Sequence, residues 1–373
     1  MKVLITGGGT GGHVNPAIAV ANIIKSNIKD VEIAFVGTSH GIENKLVPKE
    51  GYPLFHIEIQ GLKRSLSLSN IKTFYLAYTS VIKCKKLIRE FQPDFVFGTG
   101  GYVSWPVIKA ASQLKIPTAL LNCDVVPGFA LKMLEKYADK IYVNFDETIN
   151  YLKYPNKAKR VGNPIRDEFF SLEYSEARET LGIDGKYKLF LLSCGGSMGA
   201  ERINNECIDY MNSYVSKHPE IYHVHATGAI EYEAAREKFN AYGLDKYKNI
   251  ELVEYIYDMP QKMAAADLVI NRAGANTLSE LAVLKKPCVL IPSPNVTNNH
   301  QYKNAKVLAD KNAAVLIEEK NLSEGVFYDT VTDLLENKSK RDEMAENISD
   351  FAVNDAGKII FNELYTLAKS KKI

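Results

Sequence analysis

Residues 1–16 read MKVLITGGGTGGHVNP, an apolar, β-branched run that breaks into a cluster of glycines. KVLIT has the composition of a strand, and Gly7, Gly9 and Gly12 satisfy the G-x-G-x-x-G spacing of a turn that binds a diphosphate. Glycines let the backbone approach a phosphate, and the helix that follows presents unpaired N–H groups and a positive dipole end. This spacing alone leaves the ligand open between a nicotinamide dinucleotide and another diphosphate. The nicotinamide reading needs a carboxylate about 20 residues on, at the end of the second strand. The second strand, VEIAFVG, ends in Gly37-Thr38-Ser39, and Glu43 falls several residues late. His13 follows Gly12 directly, an odd neighbour for a pyrophosphate unless it has chemistry to do. An oxidoreductase is therefore disfavoured.

Outward from this turn, strand-like runs alternate with helix-length segments, the pattern of parallel α/β construction. The first half holds KVLIT, VEIAFVG, DFVFGT, PTALLN and KIYVNF; the second holds KLFLLSC, YHVHAT, IELVEYI, LVINRA and PCVLIPS. Gly162, Asn163 and Pro164 interrupt any regular element between them. The expected organisation is a domain over 1–162, a second over 163–345, and a C-terminal helix over 346–373. Ile360, Leu364 and Leu367 share one face of that helix, which could cap either domain or pack back on the first. Glycine turns recur after DFVFGT (Gly98, Gly100, Gly101) and after KLFLLSC (Gly195, Gly196, Gly199). Any one of them could simply permit a tight turn. Together, at the carboxyl ends of strands, they point to phosphate binding, because that edge is where open α/β sheets hold ligands.

The whole-chain numbers narrow the class. At 373 residues the chain is long for one core and suggests two domains. A net charge of +2 gives no sign of wholesale nucleic-acid binding. The five cysteines are scattered without a C-x-x-C pair, which argues for a reducing compartment and against structural zinc. A core strand beginning at residue 2 leaves no expected signal peptide, and no apolar run approaches the roughly 18 residues of a membrane span. A cytosolic protein is expected.

In the second half, NRAGANTLSELAVLKKPCVLIPSP reads as strand, tight turn at Arg272–Ala275, helix, strand. Thr277, Ser279 and Glu280 fall in the first turns of that helix. Glu280 is either an electrostatic cap or the acceptor of hydrogen bonds from the two hydroxyls of a nucleoside ribose. NVTNNHQYKNA then gathers amide and imidazole groups after a strand end, a polarity suited to sugar hydroxyls. No D-x-D motif occurs near these loops, and Asp124, Asp146 and Asp258 are isolated, so neither a protein-held metal nor a cofactor is inferred.

GGGTGGHVNPAIAVA, GTGGYVSWP, VGNPIRDE, CGGSMGAERIN and RAGANTLSELAVLKKPCVLIPSP…NNHQYKNA together resemble the MurG family, in order from residue 3 to about 320. Members of that family transfer N-acetylglucosamine from its UDP form to lipid I, an undecaprenyl-pyrophosphoryl-linked acceptor, giving lipid II for peptidoglycan. The resemblance implies a GT-B fold of two doubly wound domains and an inverting transfer with no covalent intermediate. It assigns UDP-N-acetylglucosamine contacts to Thr10, Gly11, Gly12, Asp124, Arg166, Ser197, Ile256 at the uracil, the run Ala275, Asn276, Thr277, Leu278, Ser279 and Glu280, and Gln301. It puts the acceptor diphosphate against Gly9, Gly100, Gly101 and Tyr102. His13 becomes the candidate base for the acceptor hydroxyl; the plainer role is a loop histidine that bonds backbone.

One departure stands out. After PTALL the family shows H-E-Q-N, whereas this chain has Leu121-Asn122-Cys123-Asp124, so an aspartate replaces the asparagine expected near the donor sugar. The fold also serves UDP-N-acetylglucosamine 2-epimerases, which need no lipid. An epimerase, a transferase of altered sugar choice and an inactive membrane-recruited module stay open beside the transferase. Finally, residues 59–89 carry no acid but seven bases: Lys63, Arg64, Lys72, Lys83, Lys85, Lys86 and Arg89. Ile71, Phe74, Tyr78, Val81 and Ile82 recur there at helical spacing. The stretch is either a surface helix with solvated charges or a docking face for anionic lipid at the cytoplasmic side of the cell membrane.

Overall fold

The computed structural model describes residues 1–60, 69–196, 198–322 and 325–370, with residues 69–74 described by their backbone alone. The chain forms two compact units: Met1–Ile165 with Asp355–Ile373, and Arg166–Asn354.

The first unit is built on a seven-stranded sheet in the order β3-β2-β1-β4-β5-β6-β7, with parallel neighbours throughout. Its strands are β1 (Lys2–Gly7), β2 (Glu32–Gly37), β3 (Leu54–His56), β4 (Phe95–Gly100), β5 (Thr118–Asn122), β6 (Lys140–Val143) and β7 (Ala158–Arg160). The helices are α1 (Gly11–Asn27), α2 (Glu43–Lys49), α3 (Ser69–Phe91), α4 (Ser104–Gln113) and α5 (Phe129–Leu134). A sheet covered on both faces needs apolar side chains at every central strand position, which is why KVLIT and DFVF read as unbroken apolar runs. Val3 and Ile5 join the core under α1, while Leu4 joins the core under α3, α4 and α5.

The second unit repeats this plan with six strands in the order β10-β9-β8-β11-β12-β13. These are β8 (Leu189–Cys194), β9 (Ile221–Ala226), β10 (Ile250–Val253), β11 (Leu268–Asn271), β12 (Cys288–Leu290) and β13 (Val315–Leu316). Its helices are α6 (Tyr174–Thr180), α7 (Glu201–Ser213), α8 (Tyr232–Ala241), α9 (Met259–Ala265), α10 (Ala275–Val283), α11 (His300–Ala309), α12 (Val326–Glu336) and α13 (Lys338–Ser349). The C-terminal helix expected over 346–373 is the end of one helix and the whole of another. α13 stays with the second unit, where Met344 reaches Cys288 of β12, and α14 (Ala356–Lys369) packs on α1. Ile360 and Leu364 of α14 are buried in the α1 side of the first core.

Candidate active site

In both sheets the strand order reverses beside the first strand, between β1 and β4 and between β8 and β11. The backbone diverges at such a point and opens a crevice beyond the strand ends. The glycine turns after β1, β4 and β8 and the turn after β11 all lie there.

In the first unit two glycine turns pack on each other. Gly100 and Gly101 have φ of +111° and +78°. A Cβ on Gly101 would lie 2.4 Å from the Gly8 carbonyl oxygen, and one on Gly100 would lie 2.8 Å from Cδ2 of His13. Only glycine fits here, because the turn after β4 is the shelf on which the His13 ring rests. Thr10 caps α1 in an extended conformation, Gly11 and Gly12 form the helix's first turn, and that turn holds no acid. His13 Nδ1 lies 3.3 Å from the Gly8 carbonyl oxygen and 3.3 Å from the Thr10 hydroxyl. The Thr99 hydroxyl donates to the His13 carbonyl (2.7 Å), joining the two turns. Tyr102 lies beside Gly9, its ring edge 3.7 Å from where a Gly9 Cβ would be. The Gly9 N–H donates to Glu43 Oε2 (3.1 Å), so any part Gly9 has at a diphosphate comes from its missing side chain rather than its N–H.

Asp124 follows β5 on the same sheet edge. Its carbonyl accepts from the Asn122 amide and from the Thr148 hydroxyl, which ties the departing 121–124 stretch to the fold. Leu121, at the family's histidine position, is buried in the core.

In the second unit, Ser197 lies outside the described residues. Gly199 packs closely on Thr227: a Cβ there would lie 2.4 Å from the Thr227 carbonyl oxygen. Ile256 is buried between two exposed rings, Tyr255 and Tyr257, which meet edge-on at 5.0 Å. Ala275, Asn276, Thr277, Leu278 and Ser279 make the first turns of α10, with the Ser279 hydroxyl donating to the Ala275 carbonyl (3.1 Å). Glu280 follows on this helix. Burial pushes its pKa up to about 7, against the opposing pull of the Arg166 guanidinium. Arg166 precedes the short 3-10 helix Asp167–Phe170, which packs on α10, and it lies 5.2 Å over the Phe169 ring. The Gln301 amide oxygen accepts from the Ser293 N–H (2.9 Å), holding the loop after β12. Glu280, Arg166 and the α10 N-terminus thus form one cluster: a helix end of the kind that suits an anion, beside a carboxylate that can accept from hydroxyls.

Two features escape sequence reading. One is the burial of Glu43, visible by position only as a carboxylate too late for a ribose. The other is a buried chain of polar groups under the second-unit loops. The Asn204 amide nitrogen donates to the Thr227 carbonyl (3.0 Å), so Asn204 Oδ1 must accept from His225 Nε2 (3.0 Å). His225 Nδ1 then accepts from the Ser193 hydroxyl (2.8 Å), whose oxygen accepts from His223 Nε2 (2.7 Å). One solution satisfies every contact, with both rings neutral. The H-x-H alternation in YHVHAT was the available signal, since i and i+2 on a strand share a face.

Two doubly wound units with glycine turns at their switch points make up a GT-B fold. Residues 3–143 match the glycosyltransferase family 28 N-terminal domain and residues 190–359 its C-terminal domain. A protein of Acetivibrio thermocellus, named UDP-N-acetylglucosamine--N-acetylmuramyl-(pentapeptide) pyrophosphoryl-undecaprenol N-acetylglucosamine transferase, is 40% identical over 100% of this chain and 99% of its own. The crystal structure of Acinetobacter baumannii MurG superposes with a TM-score of 0.79 at 26% identity, covering 98% of this chain and 99% of that one. A UDP-GlcNAc 2-epimerase from Neisseria meningitidis shares the fold, with a TM-score of 0.65 at 16% identity over 98% of this chain and 100% of its own. The chain belongs to the MurG family within glycosyltransferase family 28.

Proposed function

We propose that this protein moves N-acetylglucosamine from UDP-N-acetylglucosamine to undecaprenyl-pyrophosphoryl-N-acetylmuramyl-pentapeptide with inversion at the anomeric carbon. The 40% identity across the whole chain to a protein named for that reaction carries the proposal. The residues fit the roles. His13 Nε2 takes the proton of the acceptor hydroxyl as that oxygen bonds to the anomeric carbon. The bond from the anomeric carbon to the diphosphate breaks, and its electron pair leaves with UDP. Arg166, Ser197 and the N–H groups opening α10 stabilise the departing charge. Glu280 accepts from the ribose hydroxyls, the backbone at Ile256 reads the uracil edge, and Ala275–Ser279 with Gln301 complete the donor site. Thr10, Gly11 and Gly12 are the donor contacts that the family resemblance assigns to the first glycine turn, and Gly9, Gly100, Gly101 and Tyr102 take the acceptor diphosphate.

The acceptor is a lipid, so the enzyme works as a peripheral protein on the cytoplasmic face of the cell membrane. On α3, Tyr75, Tyr78 and Ile82 are exposed along one face, flanked by exposed Lys83, Lys86 and Arg89. Lys63 and Arg64, and the side chains of Ile71, Lys72 and Phe74, lie outside the described residues. No described helix is long and apolar enough to cross a membrane.

Radiolabelled UDP-N-acetylglucosamine supplied with lipid-linked acceptor in vesicles tests the reading. Transfer of label to lipid is expected. Conversion to an isomeric UDP-sugar would instead make the protein an epimerase, and label left on UDP-N-acetylglucosamine would make it a binding module.

A further inference from the structure

We infer that Glu43 is a positioning residue for His13, acting through the single peptide group that joins Gly8 to Gly9. This rests on the reading of His13 as the base. Glu43 opens α2 and is 1% exposed. Its Oε2 accepts from the Gly9 N–H (3.1 Å), and its Oε1 accepts from the Thr38 N–H (2.9 Å) and the Thr38 hydroxyl (2.8 Å). Burial pushes its pKa up. Donors at the backbone of Thr38, Gly9 and Glu43 itself and at the Thr38 hydroxyl outweigh this and hold it below the usual range, so it is ionised at neutral pH. Cβ atoms on Gly8, Gly37 and Gly41 would come within 2.8, 2.7 and 2.1 Å of the side chain, so glycines close around it.

The Gly9 N–H and the Gly8 C=O belong to one peptide plane, and in a trans peptide they point opposite ways. The carboxylate holds the N–H on one side. On the other, the C=O meets His13 Nδ1 at 3.3 Å. A carbonyl can only accept, so this contact requires the proton on Nδ1; the Thr10 hydroxyl, equally close, can accept or donate and suits that tautomer. The lone pair is then on Nε2, which lies against Gly100 and is the nitrogen that takes a proton. Hydrogen bonds in series polarise one another, so the ionised carboxylate makes the Gly8 oxygen a stronger acceptor. The logic is that of catalytic histidines whose second nitrogen is held by a carboxylate, here with one peptide interposed. The 3.3 Å contact is long, as catalytic hydrogen bonds often are before substrate binds.

Both oxygens of Glu43 accept, and an amide has only one, so Glu43→Gln must turn an NH2 group toward the Gly9 or the Thr38 N–H. Histidine 15N NMR of the full chain, with His13 assigned by its absence in His13→Ala, reads the tautomer directly. The native ring should be protonated on Nδ1. In Glu43→Gln it should lose that preference, while kcat falls about 10–100-fold and donor KM barely moves. Thr38→Val weakens the hold on the same carboxylate but spares the Gly9 side, and should keep both the tautomer and most of kcat. An Nε2-protonated native His13, an unchanged tautomer in Glu43→Gln, or an equal loss of kcat in Thr38→Val overturns the inference. The native spectrum decides even if the Gln variant fails to fold. A kcat loss under about tenfold in His13→Ala would remove the base reading instead.

Discussion

Glu280 and Asp124 carry the sharpest residue-level consequences. A carboxylate that holds ribose hydroxyls binds them best when ionised, because an ionised oxygen accepts charge-assisted hydrogen bonds. Burial raises the Glu280 pKa to about 7, so in the unliganded protein about half of it is protonated at neutral pH. Donor binding lowers that pKa, so affinity should rise as pH increases through about 7 and level off above it. Calorimetric titration with UDP-N-acetylglucosamine, which has no phosphate titrating between about pH 6 and 8, should show this over that range, and Glu280→Gln should weaken binding by about 1–2 kcal/mol and abolish the pH dependence. Equal affinity in variant and parent would leave Glu280 a helix cap. Asp124 stands where the family has asparagine, and an ionised aspartate only accepts, whereas an amide also donates. Asp124→Asn should therefore raise kcat/KM for UDP-N-acetylglucosamine or shift the ranking of UDP-sugars in a competition assay. An identical ranking and kcat/KM would make the departure neutral.

Among the elements, α3 reads differently in the sequence and in the structure. The spacing pointed to Ile71, Phe74, Tyr78, Val81 and Ile82 as one apolar face, yet Val81 is a core residue at 7% exposure while Tyr75, Tyr78 and Ile82 are 67%, 70% and 53% exposed. The helix has an inward face and a second apolar strip turned to solvent. The proposed docking on an anionic membrane would use the second strip, with about 1 kcal/mol from each basic residue near the surface. The ion pairs Lys83–Glu58 at 3.8 Å and Lys86–Glu90 at 3.9 Å are exposed and oppose this only weakly. Flotation with anionic vesicles should therefore capture the protein at low salt. Replacing Tyr75, Tyr78 and Ile82 together with serine should abolish capture without lowering the melting temperature, since none of the three is core. Capture by neutral vesicles to the same extent would show that the bases contribute nothing.

At the scale of the whole molecule, acid stability should depend on the second unit's buried histidines. Burial, followed by the neighbouring His225 charge, pushes the His223 pKa well down; burial takes His225 down to about 4, with a hydrogen bond to the Ser193 backbone opposing. A group whose folded pKa lies below its unfolded value leaves the unfolded chain binding more protons, so stability is full above about 6.5 and drains as pH falls toward about 4. His225 alone represents on the order of 3 kcal/mol. Replacing both histidines with glutamine should flatten this limb of a urea-midpoint profile, even if it lowers stability at neutral pH. An unchanged slope would mean that carboxylates set the acid limit. The return of the chain at Asp355 is also a property of the whole: α14 supplies Ile360, Leu364 and Leu367 to a core whose residues outside that helix all lie at or before Val161.

The sequence by itself determined the parallel α/β architecture, ten of the strands and the glycine turns. Each of these follows from local constraints: strands buried on two faces must be apolar throughout, and a turn against a phosphate or a ring admits only glycine. The family, too, was legible from motif order. The edge strands β3, β7 and β13 were not, because they are two or three residues long and half-exposed, without the buried apolar run that marks the equally short β12. Only the tertiary structure decided which unit α14 joins, which side of α3 faces inward, and that Glu43 is buried against the first loop. An amphipathic helix specifies that it must bury a face but not against what. The spacing of Glu43 from Gly9 along the chain says nothing of a hydrogen bond that exists only because β1 and β2 are neighbours in the sheet, which brings their exit turns side by side.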